Sequence, residues 1–269
     1  MSTATTSTTT IRESSLVDQE SLRQKVKEMY RRVAKEPEGD FHFAMGRPLA
    51  EELGYPPADL DRIPRQALES FAGVGHFLAL ANIQPGETVL DLGSGSGTDA
   101  FLAALYTGPE GRVLGLDMTD EQRDKAQRLA RDAGFTNITF HAGYIEEPPF
   151  DDASVDVVIS NGVINLSAQK DRVFAEIARV LKPGGRLALS DIVTESQLPE
   201  KVKCDATLWA ACIGGAMQQD DYQRGIRAAG LRVERVQDNP QYRFLTEAAQ
   251  GASRAYGVKS LSLLATKPA

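Results

Sequence analysis

The chain has 269 residues, of which 42% are hydrophobic and 25% charged, a composition typical of folded proteins and unlike that of disordered or collagen-like chains. At this length we expect one main domain with a smaller cap, because single α/β domains reach about 250 residues. The 30 basic and 37 acidic residues give a net charge of −7, which disfavours nucleic-acid phosphates and anionic membrane surfaces as partners.

The start of the chain is rich in Ser and Thr and poor in apolar residues, so we expect residues 1–15 to form a disordered tail. It has neither the basic nor the apolar region of a secretion signal, and the chain has no apolar run near the roughly 18 residues that span a bilayer. We therefore expect a cytoplasmic protein in which Cys204 and Cys212 are free thiols. The expected partner is a small-molecule substrate, without nucleic acid or membrane, and the sequence leaves the oligomeric state open.

Residues 16–83 are expected to form a helical cap that contributes to the substrate site. Apolar residues recur at three- and four-residue steps over 16–34, which predicts an amphipathic packing or lid helix. Frequent Pro and Gly over 36–77 predict only short helices and loops.

Residues 84–269 have the pattern of a Rossmann-like α/β domain. Short β-branched runs alternate with helical patterns, which is typical of βαβ units that build a parallel sheet. We predict seven strands in a mostly parallel sheet with helices on both faces: 88–91, 113–116, 138–141, 155–160, 186–190, 232–236 and 260–266. The last two are expected to pair as an edge hairpin. The long stretch 192–220 is predicted to be an inserted lid.

The strongest functional motif is a glycine-rich turn between the first strand and the next helix. The turn contains Gly93, Ser94, Gly95 and Gly97. Glycines there let backbone N–H groups and a helix N-terminus approach a ligand closely. A dinucleotide fingerprint would have glycine at its sixth position, where this chain has Thr98, so the motif argues against NAD. Asp91, just before the turn, favours a ligand that carries an ammonium group.

Three further segments follow predicted strands at the same edge of the sheet. Asp117 ends the second strand and can accept hydrogen bonds from both ribose hydroxyls of an adenosine cofactor, while Met118 can pack on the adenine. The third and fourth strands lead to segments expected near the adenine edge and the reacting centre: Tyr144 and Ile145, and then Asn161, Gly162 and Val163.

With the turn at 182–185, these motifs resemble the class I S-adenosylmethionine-dependent methyltransferases. The stretches 117–119, 143–146, 160–166 and 212–216 are similar to arsenite methyltransferases, and the resemblance covers residues 45–230. It implies S-adenosyl-L-methionine as cofactor, S-adenosyl-L-homocysteine as product, and methyl transfer by in-line displacement.

The resemblance also implies a position for a metalloid substrate. That family captures trivalent arsenic with three cysteines, and the matching positions here are Val74, Gly162 and Cys212. Only one thiolate remains, so the soft-ligand trap is incomplete. We therefore expect a methyltransferase with a different small-molecule acceptor. The alternatives are a metalloid methyltransferase that uses Cys212 with an external thiol, and a non-catalytic adenosine-cofactor-binding protein or NAD-dependent oxidoreductase.

The remaining candidate residues belong to the acceptor side of the site, and no metal site is predicted. Tyr30 lies on the apolar face of the first helix, where the resemblance implies a tyrosine that closes over the cofactor and a core tyrosine is the alternative. His42 and His76 are, with Tyr30, the candidates for catalysis, since a hydroxyl or amine acceptor needs a base. The expected substrate pocket consists of these two histidines and of Asn165, Trp209 and Cys212.

Overall fold

The computed structural model describes residues 19–199, 202 and 213–269. The predicted tail at 1–15 lies outside the described residues, and so do Cys204, Trp209 and Cys212 in the predicted lid. Within the described part, no helix is both long and apolar enough to cross a membrane.

Helices precede the sheet, as the cap pattern predicts. The first, α1 (Gln19–Lys35), buries Leu22, Val26 and Val33 on one face, which confirms the amphipathic prediction over these residues. Four short helices follow: α2 (Gly46–Glu52), α3 (Pro57–Leu60), α4 (Arg65–Glu69) and α5 (Leu78–Ala81).

The described residues contain eight strands that form one sheet. They are β1 (Thr88–Leu92), β2 (Arg112–Asp117), β3 (Ile138–Ala142), β4 (Val155–Asn161), β5 (Leu181–Thr194), β6 (Met217–Gln218), β7 (Arg232–Asp238) and β8 (Lys259–Thr266). Between and after them lie α6 (Thr98–Thr107), α7 (Asp120–Asp132), the 3-10 turn Ile164–Leu166, α8 (Lys170–Val180), α9 (Gln219–Ala228) and α10 (Glu247–Tyr256).

The strand order is β3-β2-β1-β4-β5-β8-β7, with the two-residue β6 paired in parallel to the end of β5. Strands β1 to β5 are parallel, whereas β8 is antiparallel to both of its neighbours. The prediction of seven strands is therefore wrong, because the sheet has an eighth strand, β6. Nor do the late strands form a simple hairpin, because α10 lies between them, and β5 continues past residue 190 because β8 pairs with it as far as Val193.

Helices cover both faces of the sheet, as predicted. Successive side chains of a strand point to opposite faces, so Val89 packs in the same core as Phe101 of α6, while Leu90 packs with Phe174 of α8 and Tyr222 of α9. This two-sided burial places the ends of the strands, and not their faces, at the surface where a ligand can bind.

Candidate cofactor site

A cleft opens at the carboxyl ends of β1, β2 and β4, and it encloses about 1060 Å³, part of it open to solvent. Here the strand order reverses, because the chain passes from β1 outward through β2 to β3 and then returns to β4 on the other side. In open α/β sheets such a reversal leaves a crevice in which ligands bind.

The glycine turn forms one wall of this cleft. Gly95 has a φ of +53°, and a Cβ atom there would point into open space, with Gln122 Oε1 as its nearest neighbour at 3.9 Å. Its backbone N–H donates to Asp117 Oδ2 at 2.9 Å, and the N–H of Thr119 donates to Asp117 Oδ1 at 2.8 Å. Asp117 therefore fixes the turn to the end of β2 while its carboxylate still lines the cleft.

Asp91 lies in β1 and is the least exposed of the described carboxylates that line the cleft, at 3% exposure. Its Oδ2 atom is buried, and the structure gives it no hydrogen-bond partner within the described residues. Burial, and then the nearby charges of Asp99 and Asp117, raise the pKa of Asp91 well above its usual range. A buried acceptor without a donor is rare in folded proteins, and one in a ligand cleft is explained by a donor on the ligand. A cationic ammonium group fits this position.

Asp99, in the first turn of α6, is a cleft residue that the sequence analysis missed. Its Oδ1 accepts a hydrogen bond from the Tyr55 hydroxyl at 2.6 Å, and its Oδ2 accepts one from Asn161 Nδ2 at 3.0 Å. Burial raises the pKa of Asp99 to about 6, although these two hydrogen bonds favour the ionised form. No local pattern indicates the pairing, because Tyr55 lies 44 residues and Asn161 62 residues away.

Asn161, at the end of β4, also holds the backbone of the 72–75 segment. Its Oδ1 accepts from the N–H of Val74 at 2.8 Å, and its Nδ2 donates to the carbonyl of Gly75 at 3.1 Å. From the opposite side, the Ser260 hydroxyl donates to the carbonyl of Val74 at 2.6 Å. The segment is thus fixed between β4 and β8.

The cap helix α1 lies over the opening of the cleft. Val26 and Tyr30 line the cleft, and the Arg23 guanidinium lies 4.7 Å from the ring centre of Tyr144. Gln122 of α7 donates to the carbonyl of Tyr30 at 3.1 Å. These contacts position α1 against both the turn after β3 and the helix after β2.

Eleven of the predicted cofactor-binding residues line this one cleft: Tyr30, Asp91, Gly93, Ser94, Gly95, Asp117, Met118, Tyr144, Ile145, Asn161 and Val163. Two others, Gly97 and Gly162, do not. A Cβ atom at Gly97 would approach the Phe101 and Phe140 rings to 2.9 and 3.0 Å, so this glycine allows the turn to pack on the core beneath it. A Cβ atom at Gly162 would lie 3.1 Å from Cγ1 of Val74.

The predicted acceptor-side residues are dispersed. His42 lines a second, smaller cavity, whereas His76 packs against the Tyr55 ring at 4.4 Å between centroids. Burial lowers the pKa of His76. Asn165 is fully buried, and its backbone N–H donates to Asp191 Oδ2 at 2.9 Å. Of the predicted histidines and Asn165, therefore, only His42 faces a cavity next to the cleft.

The sequence analysis missed two groups of lining residues. Five adjoin predicted cofactor-binding residues, and that adjacency is a usable signal: Ser96, Thr98, Thr119, Gly143 and Glu146. The others reach the cleft through contacts between distant segments: Arg23, Val26, Ser70 to Gly73, Asp99, Gln122, Leu166 and Ser167. The Oε1 atom of Glu146 accepts from the Ser167 hydroxyl at 2.6 Å.

Comparison with known proteins agrees with this geometry. Residues 83–230 match the family model described as a methyltransferase domain. The arsenite methyltransferase of Halobacterium salinarum is 39% identical over 221 residues, which are 82% of this chain and 56% of that protein. The arsenite methyltransferase of Aquipseudomonas alcaligenes is 43% identical over 160 residues, 56% of this chain and 46% of that protein. The chain thus spans about half the length of these curated relatives.

A solved structure is matched over a larger share of its own length than these relatives are. The arsenic(III) S-adenosylmethionine methyltransferase of Chlamydomonas reinhardtii is 34% identical and superimposes with a TM-score of 0.67, covering 79% of this chain and 73% of that one. The chain therefore belongs to the S-adenosylmethionine-dependent methyltransferases with a Rossmann-like fold, close to the arsenite methyltransferases.

Proposed function

We propose that this chain transfers a methyl group from S-adenosyl-L-methionine to a small-molecule acceptor and releases S-adenosyl-L-homocysteine. One observation carries the proposal. Among the described lining residues of the cleft are four carboxylates, those of Asp91, Asp99, Asp117 and Glu146, and one guanidinium, that of Arg23. The cofactor carries an ammonium and a sulfonium, and it supplies a methyl carbon that a nucleophile can attack. An acid-lined cleft with an unpartnered carboxylate oxygen suits such a cation.

The role of each side chain follows from its position in the cleft. We assign the ammonium to Asp91, because its Oδ2 has no donor among the described residues. We assign the ribose hydroxyls to Asp117, since its carboxylate lines the cleft at the end of β2 and the N–H groups of Gly95 and Thr119 fix its two oxygens in place. Met118, Tyr144 and Ile145 are then placed to enclose the adenine.

The cap contributes by excluding water. Leu22 and Val26 of α1 are buried, and Tyr30, Met118 and Leu166 pack against them. In-line displacement neutralises the sulfonium, because the electron pair of the methyl–sulfur bond returns to sulfur, so positioning in a dry pocket accounts for much of the acceleration. The cluster covers part of the opening of the cleft with apolar side chains.

Calorimetric titration with S-adenosyl-L-methionine and with NAD tests the cofactor assignment. We expect saturable binding of the former and none of the latter, whereas the reverse would establish an oxidoreductase. Transfer of labelled methyl groups to a panel of small organic acceptors tests catalysis, and binding without any transfer would leave a non-catalytic cofactor-binding protein.

A second candidate function is arsenite methylation, which the names of the relatives favour. Positions 74 and 162, where the resemblance implies cysteines, lie next to each other in this structure, but they hold valine and glycine. Soft thiolates are thus missing from two adjoining positions, and this argues for a different acceptor.

We also propose a cytoplasmic location. The acceptor is proposed not to be nucleic acid, since a net charge of −7 opposes the approach of a polyanion.

A further inference from the structure

A buried lysine and a buried carboxylate lie just outside the cofactor cleft. Lys170 is the first residue of α8, and Asp191 is part of β5. Both are buried, and neither is among the described residues that line the cleft. Burying a charge is costly unless other groups compensate it, so the partners of these two side chains indicate what they stabilise.

Both side chains bind the backbone of one short segment, residues 164–167, which follows β4. Lys170 Nζ donates to the carbonyl of Asn165 at 3.1 Å and to that of Ser167 at 2.6 Å. Asp191 Oδ2 accepts from the backbone N–H of Asn165 at 2.9 Å. The ammonium thus meets carbonyl oxygens and the carboxylate meets an N–H group, and hydrogen bonds to ionised groups are the stronger ones.

Asp191 is itself fixed by neighbouring groups, and it is charged. The Tyr222 hydroxyl of α9 donates to its Oδ2 at 2.8 Å. Burial raises the pKa of Asp191 to about 6, although the hydrogen bond from Tyr222 and the charge of Lys170 favour the ionised form. Burial lowers the pKa of Lys170 to about 8, although the charge of Asp191 opposes this shift. At pH 7 both groups are therefore mostly ionised, and each compensates the charge of the other.

The 164–167 segment is a wall of the cofactor cleft. Leu166 and Ser167 line the cleft, and the Ser167 hydroxyl donates to Oε1 of Glu146, another lining residue, at 2.6 Å. Leu166 packs in the apolar cluster that also contains Met118, a residue expected to contact the adenine. A shift of the segment would therefore disturb both polar and apolar contacts of a ligand in the cleft.

We propose that Lys170 and Asp191 are positioning residues for cofactor binding. They hold the 164–167 segment where Leu166 and Ser167 meet the cofactor, and through Ser167 they orient the carboxylate of Glu146. The inference deepens the proposed function and rests on it, since the segment borders the proposed cofactor site. A wall that is fixed before the ligand arrives raises affinity, because its ordering does not have to occur on binding.

Calorimetric titration of the full chain with S-adenosyl-L-homocysteine tests this role. Lys170→Met keeps an unbranched side chain but removes its charge and its donors, and we expect about tenfold weaker binding. The matched control is Lys267→Met, because Lys267 Nζ also donates to two backbone carbonyls, at 2.6 and 2.7 Å, yet lies outside the cleft. Denaturant titration should show lower stability in both variants, and calorimetry lower affinity only in Lys170→Met. Equal losses of affinity in the two variants would overturn the proposal.

Two more variants separate positioning from general stability. Lys170→Arg keeps a cationic donor and should bind within about threefold of the unaltered chain, whereas binding as weak as that of Lys170→Met would contradict the role of the charge. Ser167→Ala should weaken binding about threefold by itself, but should add little to Lys170→Met, because both changes act through one contact. Losses that multiply in the double variant would overturn the path through Ser167.

The outcomes distinguish this inference from the function on which it rests. If the unaltered chain does not bind S-adenosyl-L-homocysteine, the proposed function fails. If it binds and Lys170→Met binds equally well, only the positioning role fails. Should Lys170→Met not fold, Tyr222→Phe takes its place, because it removes one donor to Asp191 and leaves Lys170 in place. About threefold weaker binding is then expected, and unchanged affinity would overturn the proposal.

Discussion

The side-chain amide of Asn161 donates to Asp99 Oδ2 at 3.0 Å, while its oxygen accepts from the N–H of Val74 at 2.8 Å. One residue at the end of β4 thus joins a carboxylate of the cofactor cleft to the segment that borders the second cavity. This arrangement makes the geometry of both spaces depend on a single amide.

Replacing Asn161 tests that dependence. Asn161→Ala removes the donor to the buried Oδ2 atom of Asp99 and the acceptor of the Val74 N–H, and we expect a loss of about 1–3 kcal/mol in the free energy of unfolding together with weaker S-adenosyl-L-methionine binding. The control is Asn137→Ala, because Asn137 also donates to two backbone carbonyls, at 2.9 Å each, away from the cleft. Denaturant titration should show a loss in both variants, and calorimetry a loss of affinity only in the first. Normal affinity in Asn161→Ala would refute the coupling.

Asp117 is expected to be essential for tight cofactor binding. Asp117→Ala removes the assigned acceptor of the ribose diol and the partner of the Gly95 N–H, which should weaken binding by about 1.5–3 kcal/mol, a factor of roughly 10 to 150. Asp120→Ala, three residues along the chain with a side chain 63% exposed, should bind normally. A dissociation constant that is unchanged in Asp117→Ala would end the ribose assignment.

A side chain at Gly95 should block the cleft without unfolding the protein. The added atoms of Gly95→Val would occupy open space beside the cofactor position, so we expect no detectable binding. Gly86→Val is the matched control, because Gly86 has a φ of +86° and no atom within 4 Å of an added Cβ, yet lies outside the cleft. Both variants carry the strain of a left-handed backbone. If the two lose the same affinity, strain and not obstruction is the cause.

Cofactor affinity should depend on pH through the buried carboxylates. Burial raises the pKa of Asp99 to about 6 and also raises the pKa values of Asp91 and Asp117. Protonation neutralises these groups, and a bound cation favours their ionised forms, so affinity should fall as the pH drops through about 6, by up to tenfold per pH unit for each carboxylate involved. Calorimetry between pH 5 and 8 measures this slope. A flat profile, or tighter binding at pH 5, would contradict the assignment of a cation to these carboxylates.

Arsenite should be a poor acceptor. With valine at 74 and glycine at 162, we expect little or no methylarsenical product from arsenite, excess thiol and S-adenosyl-L-methionine. Chromatography of the products, with Cys212→Ser in parallel, provides the measurement. Enzymatic rates in the unaltered chain that disappear in Cys212→Ser would establish the metalloid alternative instead.

The parts of the molecule that the sequence predicted share one property, which is that their signals are local. The strand, glycine turn and helix start between Val89 and Thr98 are predicted from adjacent residues alone. In the structure, the predicted cofactor-binding residues Asp91, Gly93, Ser94 and Gly95 of this segment line the cleft. The same holds for Asp117, whose position at a strand end is fixed by the strand itself.

The parts that the sequence did not predict depend on contacts between distant segments. Tyr55 reaches Asp99 over 44 residues, and Ser260 reaches Val74 over 186. Strand β6 was missed because two residues carry no periodicity, and its pairing with β5 is decided by tertiary structure. His76 was a candidate because histidine is a common catalytic base, but its ring packs on the ring of Tyr55 instead.

The position of β8 has a consequence for the order of synthesis and folding. It is the last of the described strands in sequence order, yet it lies inside the sheet between β5 and β7 and pairs with eight residues of β5, from Arg186 to Val193. Until residues 259–266 have emerged from the ribosome, the edge of β5 that pairs with β8 is long, apolar and unpaired. The carbonyl of Val74 then also lacks the hydrogen bond from the Ser260 hydroxyl. Such an edge readily pairs with another chain. Forms that lack residues 259–266 should therefore require chaperone protection, and the Val74 carbonyl should gain its Ser260 partner only after β8 has been synthesised.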